Sequence, residues 1–155
     1  MDFMADSLAD GRRFRVFTIV DDFSRESLYI AALFRFTAQQ VVDVLDELKT
    51  RRGAPEAIRV DNGPEFTSVA LDQWAYWQQT TLIFSRPGQP TDNGLIEAFN
   101  ARLRQEFLNA HWFGSLREVQ RKIEEWRQHY NQERPHSSLG DLTPNEFAQK
   151  HQNPG

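Results

Sequence analysis

The order in which the hydrophobic periods occur constrains this chain more than any single residue. Three β-type runs come first, at 1–6, 14–20 and 27–36, joined only by short polar turns containing Asp10-Gly11 and Asp21-Asp22-Phe23-Ser24. Strands joined so tightly have no room for a crossover and pair as an antiparallel meander. The period then lengthens. Thr37 reads as an N-cap, Val41, Val44, Leu45 and Leu48 form one face of a helix over 38–52, and Gly53 stops it. A short apolar strand follows at 57–60, then a helix to about residue 79 carrying Val69, Leu71, Trp74 and Trp77, then a strand at 80–85. The order predicts an α/β fold: five strands in one mixed sheet, three antiparallel and two added in parallel, with helices packed on it.

The second half is helical. Arg86-Pro87-Gly88-Gln89-Pro90 breaks regular structure, and Thr91 or Asp92 is placed to cap the next helix. That helix is expected to run to about residue 109, with Ile96, Phe99, Leu103 and Phe107 on one stripe and Glu97, Asn100 or Ala101, and Arg104 beside it. Ser115 caps a helix to about residue 131, facing Leu116, Val119, Ile123, Trp126 and Tyr130 inward, and Thr143-Pro144-Asn145-Glu146 starts a short last helix. We read 1–148 as one domain and 149–155 as a disordered tail. With twelve phenylalanines and 39% apolar residues, 155 residues are enough to bury a core.

Composition narrows the chemistry. The absence of cysteine excludes a disulfide scaffold and any thiolate zinc site. No apolar run reaches the ~20 residues of a membrane-spanning helix. The net charge of −4 argues against a surface that holds DNA through phosphates alone, but not against a site whose acids hold cations.

The candidate chemistry starts at Asp61. It ends the strand 57–60 where Asn62-Gly63-Pro64 interrupts it, and open α/β sheets gather ligands at the carboxyl ends of strands. The competing reading is an Asx turn with no further role. Asp2 on the first strand and Glu97 at the start of its helix could join Asp61 if the first and fourth strands are neighbours. Three converging carboxylates repel, and a hard divalent cation relieves that repulsion. Taken separately, Asp2 reads as a terminal residue and Glu97 as a carboxylate favoured by a helix N-terminus. Asp21 and Asp22 read as turn formers, Glu65 as a helix-start carboxylate, His136 as a hydrogen-bonding residue of the last turn, and Trp74, Trp77 and Trp126 as packing residues.

Several stretches in fixed order resemble the catalytic core of DDE transposases and retroviral-type integrases, specifically the IS3-family insertion-sequence transposases. They are Met1-Asp2-Phe3 with Asp6-Ser7, Val20-Asp21-Asp22-Phe23-Ser24-Arg25, Asp61-Asn62-Gly63-Pro64-Glu65-Phe66, Pro90-Thr91-Asp92-Asn93-Gly94 and Ile96-Glu97-Ala98-Phe99-Asn100. Tyr130-Asn131, Arg134-Pro135-His136-Ser137-Ser138-Leu139-Gly140 and Thr143-Pro144 complete the set, and 35 residues separate Asp61 from Glu97. The resemblance implies an RNase H-like fold. It implies metal-dependent DNA strand cleavage and strand transfer, with Asp2, Asp61 and Glu97 as catalytic ligands of two Mg²⁺ or Mn²⁺ ions. It also implies DNA contacts from Asn62, Asn100 and Arg104, and work as a homo-oligomer on transposon-end and target DNA. Neither a membrane nor a small-molecule cofactor is expected, and a bacterial cytoplasm, at the nucleoid when DNA is bound, is the expected location. The end-recognising helix-turn-helix of such proteins does not precede Met1, so the chain is expected to be a core that does not select its own DNA ends. Two alternatives are a catalytically silent fragment that regulates full-length transposase and a host nuclease acting on RNA–DNA hybrids.

Overall fold

A computed structural model describes residues 1–86, 88–89 and 93–151. Strands β1 (Asp2–Ser7), β2 (Arg13–Val20) and β3 (Ser27–Leu33) form the antiparallel meander, with Asp2 opposite Thr18 and Arg15 opposite Leu33. Helix α1 (Ala38–Arg52) follows, then β4 (Ala57–Val60), α2 (Val69–Gln78) and β5 (Thr81–Phe84), with β4 and β5 paired in parallel. The five strands make two hydrogen-bonded ladders, β1-β2-β3 and β4-β5. They meet where the Met1 amino group donates to the Arg59 carbonyl at 2.9 Å, which sets β1 beside β4.

Strand parity sorts the core into two layers. Phe17 and Ile19 of β2 and Ile58 and Val60 of β4 face α1 and α2, joining Val41, Leu45, Leu71 and Trp74. Phe14 and Val16 of β2 and Met4 of β1 point the other way. There they meet α3 (Gly94–Leu103) and α4 (Leu116–Glu133) through Ile96, Phe99, Leu103, Val119 and Ile123. A helix thus covers each face of the sheet, which lets these strands carry apolar residues at consecutive positions.

The helix boundaries follow local chemistry. Thr37 makes a full capping box with Gln40, and Gly53 ends α1 at φ 81°. Ser115 caps α4, and Thr143 and Glu146 form a second capping box at the start of α5 (Pro144–Lys150). The helix begun as α3 continues through one π-type turn, Arg104–Leu108. β3 ends at Leu33, three residues short of the expected end, although Phe36 remains buried. The C-terminal helix extends beyond the expected start of the tail, and His151 stacks on Phe147 at 4.1 Å. The expected caps Thr91 and Asp92 lie outside the described residues; the N-cap position is Asn93, whose side chain makes no capping bond. Trp74 is packed and donates to Asp46 at 2.6 Å, and Trp77, expected in core or interface packing, is 76% exposed. In a helix Trp77 lies three residues beyond Trp74 and eight beyond exposed Val69, on the edge that rotates away from the sheet.

Candidate active site

The parity that builds the core also places the acids. Asp2 precedes Phe3, which packs on the α1 side, so Asp2 points with Met4 toward α3. Asp61 follows Val60, which also packs on the α1 side, so its carboxylate turns to the same α3 face. The two carboxyl groups come within hydrogen-bonding reach of each other. Burial pushes the Asp2 carboxyl up to about 6, and the neighbouring Asp61 charge adds to the push against a bond from the Phe3 amide.

Asp61 does form the Asx turn. Its Oδ1 accepts from the Gly63 amide at 2.8 Å, and a side chain at Gly63 would come within 3.0 Å of that oxygen. The turn and the pairing with Asp2 therefore coexist: one oxygen fixes the side chain while the carboxylate faces its partner. Asn62 closes the same corner by donating to the Ser85 carbonyl at 3.0 Å, which ties the ends of β4 and β5 together.

Asn100 reaches down from α3 to the pair. Its amide donates to Asp2 Oδ2 at 3.0 Å, and its oxygen accepts from the buried Thr18 hydroxyl at 2.9 Å. Thr18 is the cross-strand neighbour of Asp2, so a strand pair and a helix jointly hold one carboxylate. Glu97 lies one helical turn before Asn100, exposed at the start of α3. Among the described residues no three acidic or histidine side chains close around one metal position. The structure thus brings Asp2 and Asp61 together and leaves Glu97 one turn away. Two facing carboxylates, one of them resisting ionisation, suit a hard oxygen-seeking cation, which would remove the repulsion that raises Asp2.

Other residues occupy places their sequence neighbours do not announce. Arg104 donates to the Ala5 carbonyl of β1 at 3.0 Å. Glu65 is not a helix-start carboxylate: it pairs with Arg15, whose guanidinium also lies 4.1 Å from the Phe3 ring centre. Burial is the largest single influence and works against ionisation of Glu65, but the Arg15 bond, the residue's own backbone bond and the Arg15 charge together hold the carboxyl below its ordinary range. Asp21 is a turn former, accepting from the Ser24 amide and hydroxyl at 2.7 and 2.9 Å. No local pattern signals the Asn100–Asp2 or Arg15–Glu65 contacts, because the partners lie 98 and 50 residues apart.

Two carboxylates meet where β1 and β4 come together on one face of an α/β sheet, and α3 docks beside them through Asn100. The chain belongs to the Integrase core domain family, which matches residues 1–90 and again 78–144. It is 48% identical over 151 residues to the 31.7 kDa protein of insertion element IS407 from Burkholderia multivorans, covering 97% of this chain and 54% of that protein. It is 49% identical over 148 residues to the 39.2 kDa protein of insertion element IS476 from Xanthomonas euvesicatoria, covering 96% and 43%. The chain therefore spans about half the length of the curated relatives it matches. The HTLV-2 integrase catalytic core domain in complex with magnesium shares the fold, with a TM-score of 0.68 at 17% identity over 94% of each chain. The RNase H-like architecture expected from the sequence is the one found.

Proposed function

We propose that this domain carries out DNA strand cleavage and strand transfer for an insertion element, with Asp2, Asp61 and Glu97 as its metal ligands. The observation that carries the reading is the meeting of Asp2 and Asp61 on one face of the sheet, from residues 59 apart in sequence, with Asn100 bonded to one of them. A bound pair of Mg²⁺ or Mn²⁺ ions supplies Lewis-acid activation of the attacking hydroxyl and stabilisation of the leaving oxygen.

The protein's own residues do the positioning. Asp61 is locked by Gly63, so its free oxygen is aimed before any ligand arrives. Asn100 acts through Asp2: its amide fixes Oδ2 while Oδ1 accepts from the Phe3 amide. Glu97 sits one helical turn before Asn100, on the helix that already touches Asp2. Asn62 and Arg104 each spend one donor inside the protein and keep others for DNA: the Asn62 side chain is exposed, and Arg104 is half-buried beside β1. The acting form is a homo-oligomer on element-end and target DNA.

The test is strand transfer by the full-length protein on its element ends. Asp61→Asn and Glu97→Gln are each expected to abolish metal-dependent nicking and joining while the proteins remain folded. Wild-type rates in either variant would refute the assignment.

A further inference from the structure

The motif Tyr130-Asn131 with Arg134-Pro135-His136 has no part in the carboxylate site. Asn131 has a structural job: it accepts from the Ser27 amide at 2.7 Å and donates to the Ser27 carbonyl at 2.9 Å, clamping the start of β3 to α4. The other members gather elsewhere. The His136 ring meets the Tyr130 ring edge-on at 5.2 Å, Tyr130 stacks on Trp126 at 5.4 Å, and the Arg134 guanidinium lies 5.7 Å from the Trp126 ring centre. Phe99 closes the cluster from α3, 5.1 Å from Tyr130.

Around this aromatic floor stand three arginines from distant parts of the chain. Arg134 follows α4, Arg102 is exposed near the end of α3, and Arg25 sits in the β2–β3 turn at φ 64°. That turn is braced against α5 by Phe23, 5.1 Å from Phe147. All three arginines lie close enough to His136 to disfavour its protonation, in addition to burial, which is the larger cause. Glu106 pairs with Arg134 at 2.6 Å, and Asp21 and Asp22 stand with Arg25 in the β2–β3 turn. Arg25 spends one donor on the Asp22 carbonyl, and Arg102 has no hydrogen bond or ion pair among the described residues. Arg102 is therefore the member of the group that no described acid pairs.

A second observation marks the same region. Three buried side-chain polar atoms lack a partner among the described residues: Ser27 Oγ, Trp126 Nε1 and His136 Nε2. All three lie on or against the C-terminal half of α4 and the segment after it. Unpaired buried polar groups are rare in folded proteins, and each calls for a partner such as an ordered water or an ion. Guanidinium groups are the side chains best matched to phosphate oxygens, and a cluster of them next to aromatic rings suits a nucleic-acid backbone.

We propose that Arg25, Arg102 and Arg134, gathered over Tyr130 and His136, form a phosphate-binding site that grips the DNA backbone away from the carboxylate pair. The proposal rests on the reading of this domain as DNA-acting. Arg102 lies five residues beyond Glu97 on α3, about 7.5 Å along the helix axis. Five residues also turn the helix by about 140°, so Arg102 projects from a different side of α3 than Glu97, and the arginines meet the backbone away from the acids. The site reads backbone and not sequence, which suits a core that must act on different target sites.

The test uses full-length protein and a short DNA duplex in chelator, with affinity followed by fluorescence anisotropy over a range of salt concentrations. Arg102→Ala is the variant of choice because it breaks no bond within the domain. It is expected to weaken binding roughly three- to tenfold and to lower the slope of log affinity against log salt by about one. Arg102→Lys is expected to recover most of the slope. In the wild type the imidazole resonance of His136, assigned by its loss in His136→Gln, is expected to shift when the duplex is added. An unchanged affinity and salt slope in Arg102→Ala, or a His136 resonance indifferent to DNA, would overturn the proposal. Asp61→Asn separates the two readings: it is expected to bind DNA with the wild-type slope and not cleave it. Cleavage by that variant would sink the carboxylate assignment and leave the arginine site standing.

Discussion

Asp61→Asn should make the metal-free domain more stable while removing its function. Asparagine keeps an oxygen for the Gly63 amide, so the turn survives, but the charge facing Asp2 is lost. The Asp2 carboxyl rises from 3.8 to about 6, a change of about two units, or ~3 kcal/mol at face value. Asp2 is only half-buried, so solvent screening reduces this to ~1–2 kcal/mol. Burial is the larger cause, which leaves roughly 0.5–1 kcal/mol for the Asp61 charge. The sign follows from proton linkage. A carboxyl raised in the folded state favours folding most below its unfolded value of 3.8, and that advantage is lost as pH rises through about 6. Near pH 7 the penalty is complete, so Asp61→Asn should melt roughly 1–4 °C above wild type in chelator. The gap should close near pH 4, where Asp2 is protonated in both proteins. Excess magnesium should raise the melting temperature of wild type and leave the variant unmoved. Paired thermal melts by circular dichroism read all three results. A variant that melts at or below the wild-type temperature near pH 7 without metal would show that the two carboxylates do not repel.

Asn131→Ala should cost about 2–3 kcal/mol in denaturant unfolding, since it leaves both the Ser27 amide and carbonyl short of a partner. Trp74→Ala should lose about 3–5 kcal/mol, whereas Trp77→Ala on the exposed edge of the same helix should stay within about 0.5 kcal/mol of wild type. Asn100→Ala should reduce strand transfer at least tenfold by releasing Asp2. The loss should appear in the rate at saturating DNA and not in DNA affinity, because Asn100 is buried against Asp2 and Thr18.

Local chemistry was legible in the sequence. Thr37, Ser115 and Thr143 cap helices as their positions foretell, and Gly53 stops α1, because capping depends on residues within one turn. The period-two runs placed β1, β2 and β4, and parity then put Asp2 and Asp61 on one face. The Asx turn at Asp61 and its pairing with Asp2 were rival expectations, yet a carboxylate has two oxygens and does both. Contacts between distant positions were not legible. Arg15 with Glu65 and Arg104 with Ala5 arise from how the elements pack, and no spacing along the chain encodes them. Trp77, expected in core or interface packing, lies at the surface because the register of α2 set by Leu71 and Trp74 turns it outward.

The central claim is that acids from the first and fourth strands share a cation. Soaking crystals of the domain with Mn²⁺ and recording its anomalous signal tests that claim directly. The account requires a peak between the carboxylates of Asp2 and Asp61, missing in Asp61→Asn, with Glu97 free to turn toward it. Manganese bound elsewhere, or a peak at that position that survives Asp61→Asn, would contradict the account.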